Sequence, residues 1–299
     1  MNRWAVARVG GAFLLAGSAL VSVSAQLQLP SGPAKKFGAS LTGAYEGWFD
    51  NQDGTHSFLV GYFNRNTEQT FDIPVGPANK LEGPGAALAG PDLGQPTHFL
   101  AGRQVGVFTV TVPKSFTKDQ KITWTLSVNG ETTQIPLRLH VDYNVSPFTD
   151  VAVGNTPPVL HFVQGGPTFT GPISAMSKAT QMKASLSTPF ELPLWATDDA
   201  KYTSGTNAPM RNPPPPVQVI WSKYRGPGTV TFSEARPKLT ITKGGKVNEP
   251  YEGNAKVTVK FSEAGDYVLH ALATDYSGFG GGGEVCCWTT SLVKVTVTP

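Results

Sequence analysis

The stretch Phe261–Trp288, FSEAGDYVLHALATDYSGFGGGGEVCCW, constrains the fold of this chain more than any other. Ala264-Gly265-Asp266 reads as a tight turn, since glycine takes backbone angles that other residues avoid. Tyr267–Thr274 follows as an apolar strand, with an acid, Asp275, at its end. A glycine-rich loop, the adjacent pair Cys286-Cys287 and a further strand over Leu292–Thr298 complete the segment. Two strands joined by a long loop near the end of the chain predict the closing hairpin of a two-layer β-sandwich.

The rest of the chain has the same character. Its 33 glycines and 25 prolines sit among frequent aromatic and β-branched residues, which predicts short strands joined by many turns and not disorder. The two cysteines are neighbours, so no disulfide network staples the fold, and a sandwich of more than about 100 residues can rest on its core alone.

The first 25 residues read as a secretory signal: Arg3 and Arg8, an apolar core over Val9–Leu20, and the small-residue pattern Val23-Ser24-Ala25 with cleavage after Ala25. A retained anchor is the alternative, but the apolar run is short and glycine-containing for a spanning helix. The chain is therefore expected to be secreted or periplasmic, with no membrane insertion after cleavage. Loss of Arg3 and Arg8 reduces the basic excess from three to one. A near-neutral mature chain gives no reason to expect nucleic acid or an anionic membrane as partner.

Two β-rich halves are expected. In residues 38–145, Asp53-Gly54 predicts a two-residue hairpin turn, which sets Phe49 opposite Phe58 and Tyr45 opposite Tyr62. Asn129-Gly130 predicts a second, with Trp124 opposite Ile135 and Ile122 opposite Leu137 on one apolar face. Pro136 withholds a ladder donor, which marks an edge strand. A strand over Val105–Val112 precedes this pair, and residues 76–104 read as a long irregular connection. Residues 146–158, rich in proline and without periodicity, read as a linker. Seven short strands follow over residues 159–299, which predicts a second sandwich; Ser174–Ser187 offers at best one short helix.

Four segments carry a family resemblance: FELPLWATDD (190–199), VQVIWSKYRGPGTVTF (217–232), FSEAGDYVLHALATD (261–275) and VKVTVTP (293–299). Residues 156–299 resemble the PKD and related cadherin-like or immunoglobulin-like modules of secreted bacterial proteins. Tyr267 stands where such folds place a corner tyrosine, and Trp221 where immunoglobulin domains bury a tryptophan. The chain departs from those patterns in lacking the inter-sheet cysteine pair and the PKD tryptophan-aspartate-phenylalanine-glycine motif; WSKYRGPG stands nearby instead. The resemblance leaves residues 38–145 unassigned. The expected architecture is all-β, with two β-sandwich domains (38–145 and 159–299), the second immunoglobulin-like.

That topology brings the B–C and F–G loops to one end. Asp198, Asp199 and Asp275 open those loops, so three carboxylates converge there. Calcium binding is one reading, since related modules use strand-end acids for it; the other is that aspartates simply end strands and cap turns. Cys286 and Cys287 form a vicinal disulfide, stay reduced, or bridge to another molecule. Direct bridging is demanding, because neighbouring Cα atoms sit ~3.8 Å apart, below the usual disulfide range. Pro213–Pro216 reads as a stiff lead into the next strand, or as a ligand for an aromatic groove. Tyr202, Met210, Tyr276, Phe279 and Trp288 lie on or beside these loops: exposed, they make a protein- or sugar-binding surface; buried, they pack the loops down.

No catalytic or phosphate-binding motif occurs. Five histidines are scattered, and His270 alternates within a strand as a surface or satisfied sheet residue. The leading functional expectation is non-catalytic binding, adhesion or scaffolding, with an extracellular protein or carbohydrate as partner and no cofactor beyond the calcium considered above. A carbohydrate-active or other hydrolytic enzyme using N-terminal carboxylates, and a purely structural envelope component, are the alternatives.

Overall fold

A computed structural model describes residues 35–84, 92–150, 152–172, 175–202, 213–278 and 286–299. The expected signal segment, 1–25, lies outside the described residues.

The N-terminal half comprises β1 (Leu41–Asp50), β2 (His56–Asn64), β3 (Phe71–Asp72), β4 (Asn79–Glu82), β5 (His98–Phe99), β6 (Gly102–Val112), β7 (Ile122–Val128) and β8 (Glu131–Leu137). Sheets β1-β2-β6 and β4-β7-β8 enclose a core in which Phe58, Phe99, Phe108 and Trp124 are buried. The Trp124 indole meets the Phe108 ring edge-on at 5.1 Å between centroids, and its Nε1–H donates to Asn79 Oδ1 at 3.0 Å. Asn79 in turn donates to the carbonyls of Ile73 and Pro96, so a buried amide ties a loop to the core without an orphaned group.

The β7–β8 hairpin forms in the expected register: Trp124 faces Ile135 and Ile122 faces Leu137, across a turn where Asn129 and Gly130 have φ of 52° and 78°. β8, which carries Pro136, is an edge strand. The first hairpin differs. Trp48 lies opposite Phe58 and Phe49 opposite Ser57, one residue out of the expected register, and Tyr45 faces Val60 after a bulge at Glu46. The cause is local side-chain bonding. Asp53 accepts from the Thr55 N–H and hydroxyl, and Asn51 donates to Thr55 and Ser57, closing a five-residue loop in place of the two-residue turn. Within the expected irregular connection, the described parts 76–84 and 92–104 hold two short strands, β4 and β5.

The C-terminal half comprises β9 (Val159–His161), β10 (Phe169–Thr170), β11 (Thr180–Ser185), β12 (Phe190–Asp198), β13 (Gln218–Arg225), β14 (Val230–Phe232), β15 (Thr240–Lys243), β16 (Tyr251–Phe261), β17 (Gly265–Thr274) and β18 (Trp288–Thr298). One sheet runs β10-β9-β12-β16-β14, with β15 also on β16; the other runs β11-β18-β17-β13. Thr180–Ser185 is thus a strand, paired in parallel with β18, where a short helix was the expectation; only Met176–Lys178 turns, as a single 3-10 segment. The expected corner forms: the Tyr267 hydroxyl donates to the Glu263 carbonyl at 2.9 Å and accepts from the Gly228 N–H at 3.1 Å. Trp221 is buried against Phe162 in the core between the sheets.

The β11-β18-β17-β13 sheet is covered on both faces. Its inner face carries Leu269, Ala271, Val293 and Trp221 into the sandwich core. Tyr224, Val268 and Leu292, from the other face, join the N-terminal core. Trp288 and Leu272 pack there against Leu59. Polar contacts finish the junction. The Arg225 guanidinium makes two bonds of 2.8 and 2.9 Å to the Asp92 carboxylate, and Lys223 reaches Asp72 at 3.0 Å. Residues Ala34–Pro299 accordingly form one compact unit.

Candidate functional site

Asp198 ends β12 and Asp275 follows β17, and both point into the same end of the sandwich, where residues 155–158 cross. That crossing segment is not a free tether: Asn155, Pro157 and Pro158 are buried. The Asn155 amide donates to Asp275 Oδ2 at 2.6 Å. The Thr156 N–H and hydroxyl both donate to Asp199 Oδ2, at 3.1 and 2.9 Å. Asp275 Oδ1 accepts from the Ser277 N–H and hydroxyl, and Ser277 Oγ accepts from the Cys287 N–H at 3.0 Å. A hydrogen-bonded chain therefore links 155, 275, 277 and 287 across the base of the F–G loop.

Cys286 and Cys287 are joined in a vicinal disulfide; a cis peptide between them brings their Cα atoms to 3.1 Å. Both are buried.

Burial, with the charges of Asp275 and Asp199, pushes the Asp198 carboxyl up to about 8. It is therefore protonated at neutral pH. Its Oδ2 accepts from the Ala200 N–H at 2.7 Å, while Oδ1 is buried without a partner. Burial also raises Asp275, opposed by its bonds to Ser277 and Asn155. The hydroxyls of Tyr251 and Tyr276 are likewise buried without partners among the described residues; burial raises both phenols, and Asp198 adds to this once it is ionised at high pH.

The three aspartates do converge, as the topology required. Their oxygens, however, are largely occupied by protein donors. Asp198 Oδ1 and Asn155 Oδ1 are the buried oxygens of this group left without a bond, against the roughly six to eight that calcium takes. Among the described residues no group of three or more His, Cys, Asp or Glu side chains is arranged to hold a metal. Among the described residues the donor set does not complete a calcium site, and its oxygens serve a polar clasp.

Of the five aromatic and apolar candidates, Tyr202 and Tyr276 come together. Their rings meet edge-to-face at 6.0 Å between centroids, and both are half-buried. Met210 and Phe279 lie outside the described residues. Trp288 must be corrected: it is completely buried, and its indole covers Gly106 of the N-terminal half. It holds the two sandwiches together and is unavailable to a partner. His270 is corrected too. It is buried between the halves, stacked on Tyr224 at 5.9 Å, and burial lowers its imidazole to about 4.

In the N-terminal half, the Glu46 carboxylate is side-chain buried and held by Arg103 and by the Gly106 N–H. Burial raises it, against the lowering effect of Arg103. Its bonding is that of a structural ion pair at the β6 bulge.

Sequence reading missed Asn155, Thr156 and Tyr251. The first two lie in a segment without periodicity, and Tyr251 heads β16, outside the two loops expected to form the apex. The signal for Asn155 is chemical only: a small amide beside prolines, able to donate to a strand-end acid.

No protein-family description matches the chain, and no curated protein matches it by sequence. A comparison of folds finds the zebrafish RET cadherin-like domains 1 to 4, at 12% identity and a TM-score of 0.25, over 78% of this chain and 46% of that one. The chain thus spans about half the length of that protein. The immunoglobulin-like reading stands on the strand order, the corner tyrosine and the buried Trp221 described above.

Proposed function

We propose that this protein is a secreted or periplasmic, non-catalytic binding or scaffold module whose contact surface is formed by the 198–216 and 276–288 loops at the apex of the C-terminal sandwich. The observation that carries this reading is the meeting of Tyr202 and Tyr276, which joins the bases of the two loops. Around it, the Asn155–Asp275 and Thr156–Asp199 bonds and the buried disulfide make a stiff frame. Binding surfaces are commonly variable loops set on a rigid scaffold, and a fixed frame lowers the entropy lost on association. The ligand class is an extracellular protein or carbohydrate.

The test is a glycan array and a pull-down with the mature chain, repeated with a Y202A/Y276A double variant. A partner whose binding falls at least tenfold in the variant supports the reading. Finding no partner by either route, together with measurable turnover of a polysaccharide, overturns it in favour of a hydrolase.

A further inference from the structure

At the other end of the C-terminal sandwich, two cavities of about 500 and 470 Å³ share Met176, Arg225 and Lys294 as common walls. They make one trough along the junction of the two halves. Clefts of this size at such junctions are the usual seat of small ligands. The first cavity is lined by β11, β17 and β18. The second is lined by the Asp92–Gly94 segment and by β6.

The charge in the trough is unevenly committed. Asp92 is engaged by both arms of the Arg225 guanidinium, and Asp266 accepts from the Thr296 hydroxyl at 2.8 Å. Lys183 and Lys294, on neighbouring strands of the same sheet, form no ion pair among the described residues. Lys294 is half-buried and lines both cavities. Beside these cations stand Gln181 and Ser177, whose side chains make no hydrogen bond among the described residues, with the Met176 side chain as an apolar wall.

We propose that this trough binds an acidic saccharide: Lys183 and Lys294 receive its carboxylates, Gln181 and Ser177 its hydroxyls, and Met176 the apolar face of a sugar ring. Cationic side chains recognise carboxylates through charge-assisted bonds, the stronger class of hydrogen bond. Two adjoining cavities with shared walls suit a short chain of linked sugars better than one ring. This site is separate from the apical loops and does not depend on them.

The experiment is calorimetric titration of the mature chain with tetragalacturonate at low salt, with a neutral galactotetraose and a tetraglutamate peptide as comparators. The expected result is binding of the acidic tetrasaccharide alone. It weakens roughly tenfold to a hundredfold in K294M, the loss of one charge-assisted bond, and is retained in K294R. It also weakens in 0.5 M sodium chloride, where exposed charges are screened. K183M, at an exposed position on the edge strand β11, gives the same direction of change and carries the test if K294M does not fold. Y202A/Y276A leaves the affinity unchanged. No binding of tetragalacturonate, equal binding by K294M and K183M, or equal binding of the neutral sugar or the peptide overturns the proposal.

Discussion

Replacing Gly106 by alanine probes the junction on which the whole fold depends. Gly106 is the bulge residue of β6: Val60 pairs with Phe108 and Tyr62 with Gln104, so one strand has an excess of residues there. Its φ is +56°, a left-handed conformation that costs a side-chain-bearing residue roughly 1–2 kcal/mol. A Cβ there would also lie 2.5 Å from Cζ2 and 2.7 Å from Cε2 of the Trp288 indole. The indole is completely buried and has no room to withdraw; overpacking of this kind costs roughly 1–3 kcal/mol. Together the two effects make Gly106→Ala destabilising by about 2–5 kcal/mol. For a chain of this size that lowers the melting temperature by roughly 5–15 °C. Gly102→Ala is the control. Its φ is +80°, but nothing lies within 4 Å of the added methyl, so it suffers the conformational cost alone. Both are measured by urea unfolding and calorimetry. The difference between them isolates the contact with Trp288, and Trp288→Phe in the Gly106→Ala background should cost less than it does in the parent, because the smaller ring relieves the clash. If Gly106→Ala is no worse than Gly102→Ala, the indole does not pin β6 and the junction is looser than described.

Four further outcomes are expected. Tyr267→Phe removes the bond to the Glu263 carbonyl and leaves the Gly228 N–H without its acceptor, which destabilises by about 1–3 kcal/mol in urea unfolding; an unchanged midpoint refutes the corner as a stabilising bond. The folded Asp198 carboxyl, raised to about 8, binds its proton more tightly than the unfolded one, so it favours the fold at low pH and this contribution is lost as pH rises from about 4 to about 8. Asp198→Asn should gain stability relative to the parent across that window, and equal slopes would count against a buried neutral carboxyl. His270, lowered to about 4, acts in the opposite direction: stability is present above the unfolded value of about 6.5 and lost as pH falls through 4, and His270→Gln should flatten that acid limb in a pH series of melting temperatures. Finally, alkylation of the unfolded, unreduced chain should add no label and reduction should expose two thiols by intact mass; two labels before reduction would exclude the vicinal bond.

Much of the architecture was legible where a local rule has one solution. Asn129-Gly130 fixes a turn in which both residues need positive φ, and the register of β7 and β8 follows at once. Asp53-Gly54 has the same composition but misleads, because Asn51, Asp53 and Thr55 offer one another side-chain bonds that a longer loop satisfies. Turn composition decides register only when neighbouring side chains do not compete for the same backbone groups. The apex was legible in part. Strand order placed Asp198, Asp199 and Asp275 together, whereas the use of their oxygens depended on Asn155 and Thr156, which are more than forty residues away in sequence.

The covering of the β11-β18-β17-β13 sheet on both faces is written in β17. Tyr267-Val268-Leu269-His270-Ala271-Leu272-Ala273 shows no regular alternation of apolar and polar residues, and all seven are buried. A sheet with one face in water alternates; a strand that is apolar on both faces needs a partner on each side. Leu269 and Ala271 require the sandwich core, so Val268 and Leu272 require something else, and the N-terminal half is what supplies it. His270 sits in the same row and is carried inside with its neighbours, which is why it is neutral. The same logic makes Trp288 a junction residue and not a ligand contact: it pairs with Thr274 at the start of β18, on the face that Leu272 shares, and that face is already taken. What is left for a partner is the surface that the N-terminal half does not cover. In this sheet that is its far end, where the row continues from Val268 to Asp266 and, on the next strands, Lys294 and Lys183 come to line an open trough.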